Sequence, residues 1–451
     1  MSWNVFLDSA LRSYGKKYQT QVENFMLDLI VRNANLPDGT RAADIAVVDG
    51  RIKEVASTIK AEAAKEIDAG GYLVSPPFVD SHFHMDSALS LGQPRLNKSG
   101  TLLEGISLWG ELKPTLTVSA IKKRALEACQ WAIARGTLHI RSHVDICDDR
   151  LLAVEALLEV QQEIKPYLDL QLVAFPQDGF LRYPRSRENL LKAMDMGVDV
   201  VGGIPHFERS MAEGAASIKE LCEIAAERGL MVDMHCDETD DPMSRHIETL
   251  VYETQRLSLQ GRVAGSHLTS MHSMDNYYVS KLIPLINEAG VHAIANPLIN
   301  ITLQGRHDSY PKRRGMTRVK ELLEAGVNVA FGHDCVMDPW YSLGSHDMLE
   351  VAHMGLHVGQ LTGIDQMTQA FAAVTSNAAQ ALALEGYGIE PGCYADLVVL
   401  QARNPIEALR LRPARLYVLR RGKVIAETPP VYSHVKIEKL DGQIDFCRAV
   451  G

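Results

Sequence analysis

Short apolar runs of strand length alternate with longer amphipathic segments along most of the chain. The intervening segments have helical periodicity, as in VSAIKKRALEACQWAIARG and in SIKELCEIAAERG, which ends at Gly229. Eight strand–helix units predict a closed (β/α)₈ TIM barrel, whose active site lies at the C-terminal ends of the strands. The eight runs are YLVSPPFVDSHFH, LHIRSHVD, LQLVAFPQ, DVVGGIPH, LMVDMHC, VAGSHLT, VHAIANP and NVAFGHD.

An open, doubly wound parallel sheet is the alternative arrangement of alternating strands and helices. Such sheets commonly carry a GxGxxG phosphate loop in the first strand–helix turn. Here that turn has no such loop and is rich in histidine instead. The barrel is therefore the favoured fold.

Both ends of the barrel region are flanked by short β-runs. LDLIVRNANLPDGT and DIAVVDGRIKEVA precede it, with a hairpin predicted at Asp49-Gly50, and ADLVVL and RLYVLRRGKVIAE follow it. We expect these pieces to pair into one small β-sandwich domain built from both chain ends. The predicted divisions are an N-terminal arm (1–25), the first part of the sandwich (26–75), the barrel (76–385), and the second part with a C-terminal tail (386–451).

Composition limits the class of protein. Of the 451 residues, 46% are hydrophobic and 23% are charged, which is sufficient for a sizeable core and argues against disorder. The net charge of −10 argues against a nucleic-acid polymer as partner, because phosphate binding depends on clustered Lys and Arg. A small neutral or cationic substrate is compatible with this charge.

The cysteines and the hydropathy pattern indicate a compartment. The seven cysteines are scattered and include no CxxC pair, which is typical of a reduced environment rather than of a disulfide framework or a zinc ribbon. The N-terminus lacks the apolar region of a signal peptide, and no window approaches 18 uninterrupted apolar residues. We expect a soluble, cytoplasmic protein that binds no membrane.

Potential metal ligands stand at the C-terminal ends of four predicted strands. His82 and His84 end the first, and their i, i+2 spacing places both side chains on one face. His235, His267 and Asp334 end the fifth, sixth and eighth strands. A single histidine at a strand end is most often a hydrogen-bonded core residue, but this combination favours a metal site. Three imidazoles and one carboxylate leave a divalent ion an open position for water, whose pKa falls from about 15.7 to about 7.

Other polar residues have a simpler interpretation. We predict supporting or structural roles for four further histidines, and a salt-bridged loop rather than a phosphate clamp for one basic cluster. These residues are His143, His206, His272 and His333, and the cluster Lys312-Arg313-Arg314.

With these motifs in place, the chain resembles the amidohydrolase superfamily and, within it, the bacterial cytosine deaminases. The resemblance extends from about residue 26 to 427. It is carried by the motifs PPFVDSHFHMD, GQPRLNKSGTLLEGI, RSHVD, VAFPQDG, GIPHFE, DMHCDE, SHLTSMHS, ANPLINITLQGRHDSYPKRRG, FGHDCVMDPW, AHMGLHVGQL and YGIEPGCYADLVVL.

The resemblance implies a ligand set and a metal count. It assigns the metal to His82, His84, His235 and Asp334, and it makes His267 a residue that hydrogen-bonds the attacking hydroxide, although by spacing alone His267 could be a ligand. Binuclear members bridge two metals with a carboxylated lysine on the fourth strand. That strand, DVVGGIPHF, contains no lysine, so we expect one divalent ion. Zinc and iron(II) both suit these ligands.

The resemblance also implies catalytic roles. Asp334 accepts the proton of the bound water and passes it to the leaving amine. Glu238, three residues after His235, protonates the ring nitrogen beside the carbon under attack, as a carboxyl poised near neutral pH can. His267 orients the hydroxide and stabilises developing charge.

Three residues are predicted to contact substrate. The amide of Gln177 complements a ring carbonyl and a ring N–H, with a loop cap as the alternative. Trp340 stacks on or walls the flat ring, with ordinary packing as the alternative. Cys335 departs from the family, which has aspartate after the metal aspartate. We predict that a small apolar thiol at this position admits a methyl group at C5 of the ring, whose burial is worth about 1 kcal/mol. The alternative is that the exchange of aspartate for cysteine is a neutral variation within the family.

We therefore predict a hydrolytic deaminase of free pyrimidine bases, which converts cytosine to uracil and 5-methylcytosine to thymine with release of ammonia. The resemblance also suggests a homo-oligomer. The main alternative is a deaminase of another amino-heterocycle, such as isocytosine, creatinine or an aminotriazine, because fold and metal fix chemistry better than substrate.

Other classes are less well supported. A cyclic-amide hydrolase of the dihydroorotase type commonly has the bridging lysine missing here. An inactive scaffold would be expected to lack Glu238 or a ligand, and the chain has both. The HxE…PCxxC signature of the zinc deaminases that act on nucleosides or polynucleotides is absent.

Overall fold

Eight parallel strands form one sheet in chain order. The computed structural model describes residues 26–448, so the predicted N-terminal arm (1–25) lies outside the described residues. Each strand pairs in parallel with its neighbour in sequence. The strands are β6 (Phe78–Phe83), β7 (Thr137–Asp145), β8 (Asp169–Phe175), β9 (Val200–Gly203), β10 (Met231–Cys236), β11 (Val263–His267), β12 (His292–Ala295) and β13 (Val329–Phe331).

The sheet closes between its first and last strands. Phe83 forms a parallel bridge with Asp334. The Asp334 N–H donates to the His82 carbonyl at 2.8 Å, and the His84 N–H donates to the Asp334 carbonyl at 2.9 Å. The predicted (β/α)₈ barrel is confirmed, and its seam joins the two strand ends that carry three of the four predicted metal ligands, His82, His84 and Asp334.

Amphipathic helices surround the barrel. In α5 (Met211–Arg228), for example, the Ser210 side chain caps the first turn by accepting from the Glu213 N–H. Gly229 ends the helix in the left-handed region at φ 67°. The helices are α1 (Leu102–Leu112), α2 (Val118–Ala134), α3 (Leu152–Ile164), α4 (Ser186–Met196), α5 (Met211–Arg228), α6 (His246–Arg256), α7 (Asn276–Glu288), α8 (Pro297–Leu303), α9 (Val319–Glu324), α10 (Met348–Val358), α11 (Ile364–Ala372), α12 (Ser376–Ala381) and α13 (Pro405–Leu411). None of those between residues 26 and 448 is long and apolar enough to cross a membrane.

Two four-stranded sheets from the chain ends share a second core. Their strand orders are β3-β2-β1-β4 and β16-β15-β14-β5. The two ends meet where Val74 pairs antiparallel with Val399, and Asp49 and Gly50, both at positive φ, form the predicted hairpin turn. The strands are β1 (Leu27–Ala34), β2 (Ala43–Val48), β3 (Arg51–Ala56), β4 (Ala63–Asp68), β5 (Leu73–Ser75), β14 (Leu397–Leu400), β15 (Arg415–Arg420) and β16 (Lys423–Glu427), followed by a separate hairpin of β17 (Ser433–Val435) and β18 (Gly442–Ile444).

Candidate active site

The four residues predicted to bind metal meet at the C-terminal end of the barrel. His82 lies in β6, His84 follows that strand, and His235 lies in β10. The Nε2 atoms of His84 and His235 are 3.0 Å apart. Asp334 Oδ1 lies 3.5 Å from His84 Nε2 and 3.8 Å from His82 Nε2. The structure therefore gathers side chains that are up to 252 positions apart in sequence around one point.

This cluster fits a divalent metal ion. Both ring nitrogens of His82, Nδ1 of His235 and Oδ2 of Asp334 are buried without a hydrogen-bond partner, although buried polar atoms are nearly always paired. Burial, and then the neighbouring imidazoles, hold the pKa of His82 and His235 well below the usual 6.5. The rings are therefore neutral, the form in which imidazole ligates metal.

Geometry alone also brings two further histidines close to this point. His143 forms one group with His82, His84 and His235, in which the possible ligand atoms lie within 4.8 Å of one another, and His267 forms a second group with His82 and Asp334. The rings of His82 and His143 are 4.1 Å apart. The proximity of His143 to the other three histidines was not predicted from the sequence. The available signal was the position of His143 near the end of the strand LHIRSHVD.

Glu238 lies beside the cluster at the turn that follows β10. Asp237 takes a left-handed conformation at φ 54°, and the Glu238 side chain that follows is buried, with Oε1 3.5 Å from His267 Nδ1. Burial raises the pKa of Glu238 from 4.5 to about 8. A carboxyl with this pKa is protonated at neutral pH and can act as a general acid.

His267 is fixed by two asparagines that sequence analysis did not identify. Its Nδ1 lies 2.9 Å from Nδ2 of Asn300 and 3.2 Å from Nδ2 of Asn296. The same atom is 3.8 Å from Asp334 Oδ2. The i, i+4 spacing of the two asparagines at the start of α8 was the available signal, because it places both side chains on one helical face.

Asp334 and Cys335 occupy the turn after β13. Burial, and then the charge of Glu238, raise the pKa of Asp334 well above 3.8. The Cys335 sulfur lies 3.5 Å from Asp334 Oδ1 and is 3% exposed. Burial raises the pKa of the Cys335 thiol well above 9.0, so this cysteine is a neutral apolar group rather than a nucleophile.

A cavity of about 230 Å³ opens onto the cluster. Gln177, Cys335 and Trp340, the three residues predicted to contact substrate, all line it. His206, predicted to be structural, lines it as well. The apolar wall of the cavity was not identified from the sequence. It consists of Leu102, Leu103, Ile106, Ile204, Phe207, Ile299 and Leu303.

A larger cavity, of about 770 Å³, lies between the end of α2 and the C-terminal segment. It is lined by none of the predicted site residues, so its size does not make it the reaction site.

The basic cluster is a salt-bridged loop, as predicted from the sequence. Arg313 Nη2 lies 2.6 Å from Asp308 Oδ1, and Lys312 donates to the carbonyls of Gly305 and Asp308.

The amidohydrolase family model matches residues 65–432. The chain belongs to the amidohydrolase family. Members of this family use a divalent metal ion, and the described residues include two overlapping groups that could hold one: His82, His84, His143 and His235, and His82, His267 and Asp334.

Several characterised relatives cover most of the chain. N-isopropylammelide isopropyl amidohydrolase of Pseudomonas sp. (strain ADP) is 32% identical over 408 residues, 89% of this chain and 97% of the relative. Pterin deaminase of Rhizobium rhizogenes is 31% identical over 88% of this chain and 90% of the relative. The crystal structure of 5-methylcytosine deaminase from Klebsiella pneumoniae with 5-fluorocytosine superposes with a TM-score of 0.87 at 41% identity, covering 91% of this chain and all of that one (100%).

Proposed function

We propose that this protein is a hydrolytic deaminase of free pyrimidine bases, which converts cytosine to uracil and 5-methylcytosine to thymine with release of ammonia. One observation carries the chemistry: a buried histidine–aspartate cluster and a carboxyl whose pKa is about 8 open onto the same cavity. The class of substrate is supported by the likeness to the 5-methylcytosine deaminase at 41% identity.

We assign the metal to His82, His84, His235 and Asp334, with zinc and iron(II) both compatible. When bound, the ion supplies the nucleophile by lowering the pKa of a coordinated water to about 7. One ion is proposed, because β9 and the residues beside it contain no lysine to bridge a second.

The residues of the chain then move two protons. Glu238, whose pKa is raised by burial, donates in its protonated form to the ring nitrogen beside the amino-bearing carbon and so makes that carbon electrophilic. Asp334 takes one proton of the water and passes it to the departing amine, and the other water proton returns to Glu238 as the new ring carbonyl forms, so cytosine and water become uracil and ammonia. His267, held by Asn296 and Asn300, orients the reacting oxygen.

Gln177 and Trp340 are proposed to orient the base. Gln177 is mostly buried in the cavity lining, and its primary amide can donate to a ring carbonyl and accept from a ring N–H. The indole of Trp340 supplies a flat apolar surface of the same cavity, against which a planar ring packs.

Cys335 is proposed to admit the 5-methyl group. Its neutral thiol lines the cavity, so a methyl group packed on it gains about 1 kcal/mol of apolar burial. An aspartate at this position carries polar oxygens that a methyl group would have to desolvate.

Parallel kinetics on the two bases test this assignment. We expect Cys335→Asp to lower the ratio of kcat/KM for 5-methylcytosine to that for cytosine by at least about fivefold, the equivalent of about 1 kcal/mol. Cys335→Ala, which keeps a small, uncharged and apolar side chain, is the matched control and keeps the wild-type ratio within about twofold. An unchanged ratio in Cys335→Asp contradicts the role of Cys335.

A substrate panel tests the function as a whole. Enzyme of defined metal content is assayed for ammonia release from cytosine, 5-methylcytosine, isocytosine, creatinine and an aminotriazine. Another amino-heterocycle remains the alternative, since relatives at 32% and 31% identity are named for N-isopropylammelide and pterin. Turnover of isocytosine, creatinine or the aminotriazine at a rate well above the rates for cytosine and 5-methylcytosine contradicts the proposal.

We further propose that the protein acts in the cytoplasm as a homo-oligomer. All seven cysteines are free, as expected in a reducing compartment. Sedimentation velocity gives the oligomeric state, and a monomer at assay concentration contradicts the second part of this proposal.

A further inference from the structure

Helix α1 contains a glycine where helix propensity disfavours one. Gly105 lies in the interior of the helix, at a position where glycine costs about 0.5–1 kcal/mol relative to alanine. A Cβ added at Gly105 would lie 2.4 Å from Cδ1 and 2.8 Å from Nε1 of the Trp340 indole. The missing side chain therefore allows α1 to approach the indole directly.

Trp340 also lies near the candidate metal ligands and near a tryptophan of α1 itself. Its ring centroid is 6.4 Å from that of His84 and 5.9 Å from that of Trp109, one helical turn after Gly105. Trp109 is itself fixed, because its Nε1–H donates to Asp145 Oδ2 at 2.8 Å. The indole is thus confined between α1 and the cavity.

A single buried carboxylate holds the loop that carries this tryptophan. Asp338 is 1% exposed, and its Oδ1 accepts the backbone N–H of Trp340 and that of Tyr341, each at 2.9 Å. Its Oδ2 accepts the Ser87 hydroxyl at 3.1 Å. The Cys335 thiol, three residues earlier in the same loop, donates to Asp334 Oδ1 at 3.5 Å instead.

We propose that Gly105 and Asp338 are positioning residues that fix Trp340, which lines the substrate cavity together with Cys335, and thereby set how well a methyl group at C5 is accommodated. The inference rests on the proposed pyrimidine deaminase function. Neither residue needs to touch the base. Gly105 acts by leaving space for the indole, and Asp338 acts by holding the backbone of the loop that carries it.

Two Gly→Ala variants of one helix test the role of Gly105. Gly110 also lies in α1, and a Cβ there meets nothing within 4 Å. Gly110→Ala therefore gains helix propensity without a clash, and we expect wild-type kinetics with slightly higher thermal stability. In Gly105→Ala the indole or the helix has to shift, and displacements of about 1 Å in an active site cost up to about 100-fold.

For Gly105→Ala we expect kcat/KM to fall about tenfold, mainly through KM, and the preference between 5-methylcytosine and cytosine to change at least about threefold. Metal content stays at the wild-type value. Kinetics equal to those of Gly110→Ala overturn the role of Gly105, and a loss of kcat and bound metal together identifies a merely structural defect, which overturns it as well.

A double variant tests whether the effect passes through the indole. Trp340→Phe places a smaller ring against position 105, so Gly105→Ala should cost less in that background than in the wild type. The fold loss of kcat/KM caused by Gly105→Ala should be at least about twofold smaller in that background. Purely additive effects overturn the assignment. If Gly105→Ala alone is too poorly folded to assay, a double variant that is equally unfolded overturns it as well.

Asp338→Asn tests the second positioning residue. Asparagine retains an oxygen for the two backbone N–H groups, but an NH₂ group replaces the oxygen that accepts from Ser87. We expect the preference between the two bases to change at least about threefold with metal content unchanged. An unchanged preference overturns the role of Asp338.

Fluorescence separates this inference from the proposed function. The emission of Trp340 is obtained as the difference between each protein and its Trp340→Phe counterpart. We expect it to shift in Gly105→Ala and to match the wild type in Gly110→Ala. If the wild type deaminates neither pyrimidine, the proposed function is wrong, but this comparison still decides whether Gly105 positions Trp340.

Discussion

The barrel interior contains two buried polar clusters that differ in how completely they are hydrogen-bonded. In the first, Arg141 Nη1 lies 3.0 Å from Asp233 Oδ2, Arg141 also donates to Gln171 Oε1 at 3.1 Å, and Ser266 donates to Asp233 Oδ1 at 2.7 Å. In the second, His82, His235 and Asp334 retain buried atoms that have no hydrogen-bond partner. The two clusters share strand β10, which carries both Asp233 and His235, and the two carboxylates Asp233 and Asp334 are both buried.

Their carboxyl groups respond oppositely to the same burial. For Asp233, burial raises the pKa, but the neighbouring His143, whose Nε2 lies 3.7 Å from Asp233 Oδ1, the charge of Arg141 and the Ser266 hydroxyl outweigh it and lower the pKa below 3.8. For Glu238, burial acts without such partners and raises the pKa to about 8. Partners, not depth, therefore decide which buried carboxyl stabilises the fold and which can exchange a proton.

Removing a residue of the unpaired cluster should abolish turnover. We expect His235→Ala to bind less than about one tenth of the wild-type metal and to have no detectable deaminase activity, because structural and catalytic sites alike need their full ligand set. Metal analysis and ammonia release measure both. His357→Ala, at an exposed histidine of α10, is the control. Wild-type metal content in His235→Ala would remove His235 from the ligand set.

Glu238→Gln should separate proton transfer from metal binding. The amide keeps the shape of the side chain but cannot donate an acidic proton, so kcat should fall by about 10²–10⁴-fold while metal content stays at the wild-type value. The exposed Glu227→Gln in α5 serves as the control. A decrease smaller than about tenfold would show that another group supplies the proton.

The pH dependence of kcat sharpens the contrast between the two carboxyls. Glu238 acts in its protonated form, so activity falls as pH rises through its pKa, about tenfold for each pH unit beyond the midpoint. Burial raises this pKa to about 8 and a bound divalent cation lowers it, so the midpoint should lie between 4.5 and about 8. If the decrease of kcat at high pH is unchanged in Glu238→Gln, the group that titrates in this range is not Glu238.

Breaking the paired cluster should affect stability far more than turnover. Asp233→Asn leaves the buried Arg141 without its counter-ion, which costs about 3–5 kcal/mol in the free energy of unfolding, while kcat per folded molecule changes less than about tenfold. Denaturant titration and active-site counting measure the two effects. The matched double variant Arg141→Met/Asp233→Leu should recover much of the stability. Full stability with lost activity would reverse the roles of the two clusters.

Much of the fold and the candidate ligand set was predictable from local sequence. Strands of a parallel barrel are apolar, short and followed by helices, and polar residues directly after them face the C-terminal end of the barrel. These rules identified all eight barrel strands, the hairpin at Asp49-Gly50, and five strand-end residues, His82, His84, His235, His267 and Asp334, of which the family resemblance selected four as ligands. The family motifs assigned Glu238 and Gln177 to the same cavity.

What the sequence determined by itself is the order of the strands and the chemistry available at their ends, because hydrophobic period and residue type are local properties. Only the tertiary structure decided which distant side chains meet. The β6–β13 seam, the approach of His143, the asparagines that hold His267 and the contact of Gly105 with Trp340 all arise from it. These contacts depend on strand register and side-chain direction across the barrel, which no local pattern in the chain specifies.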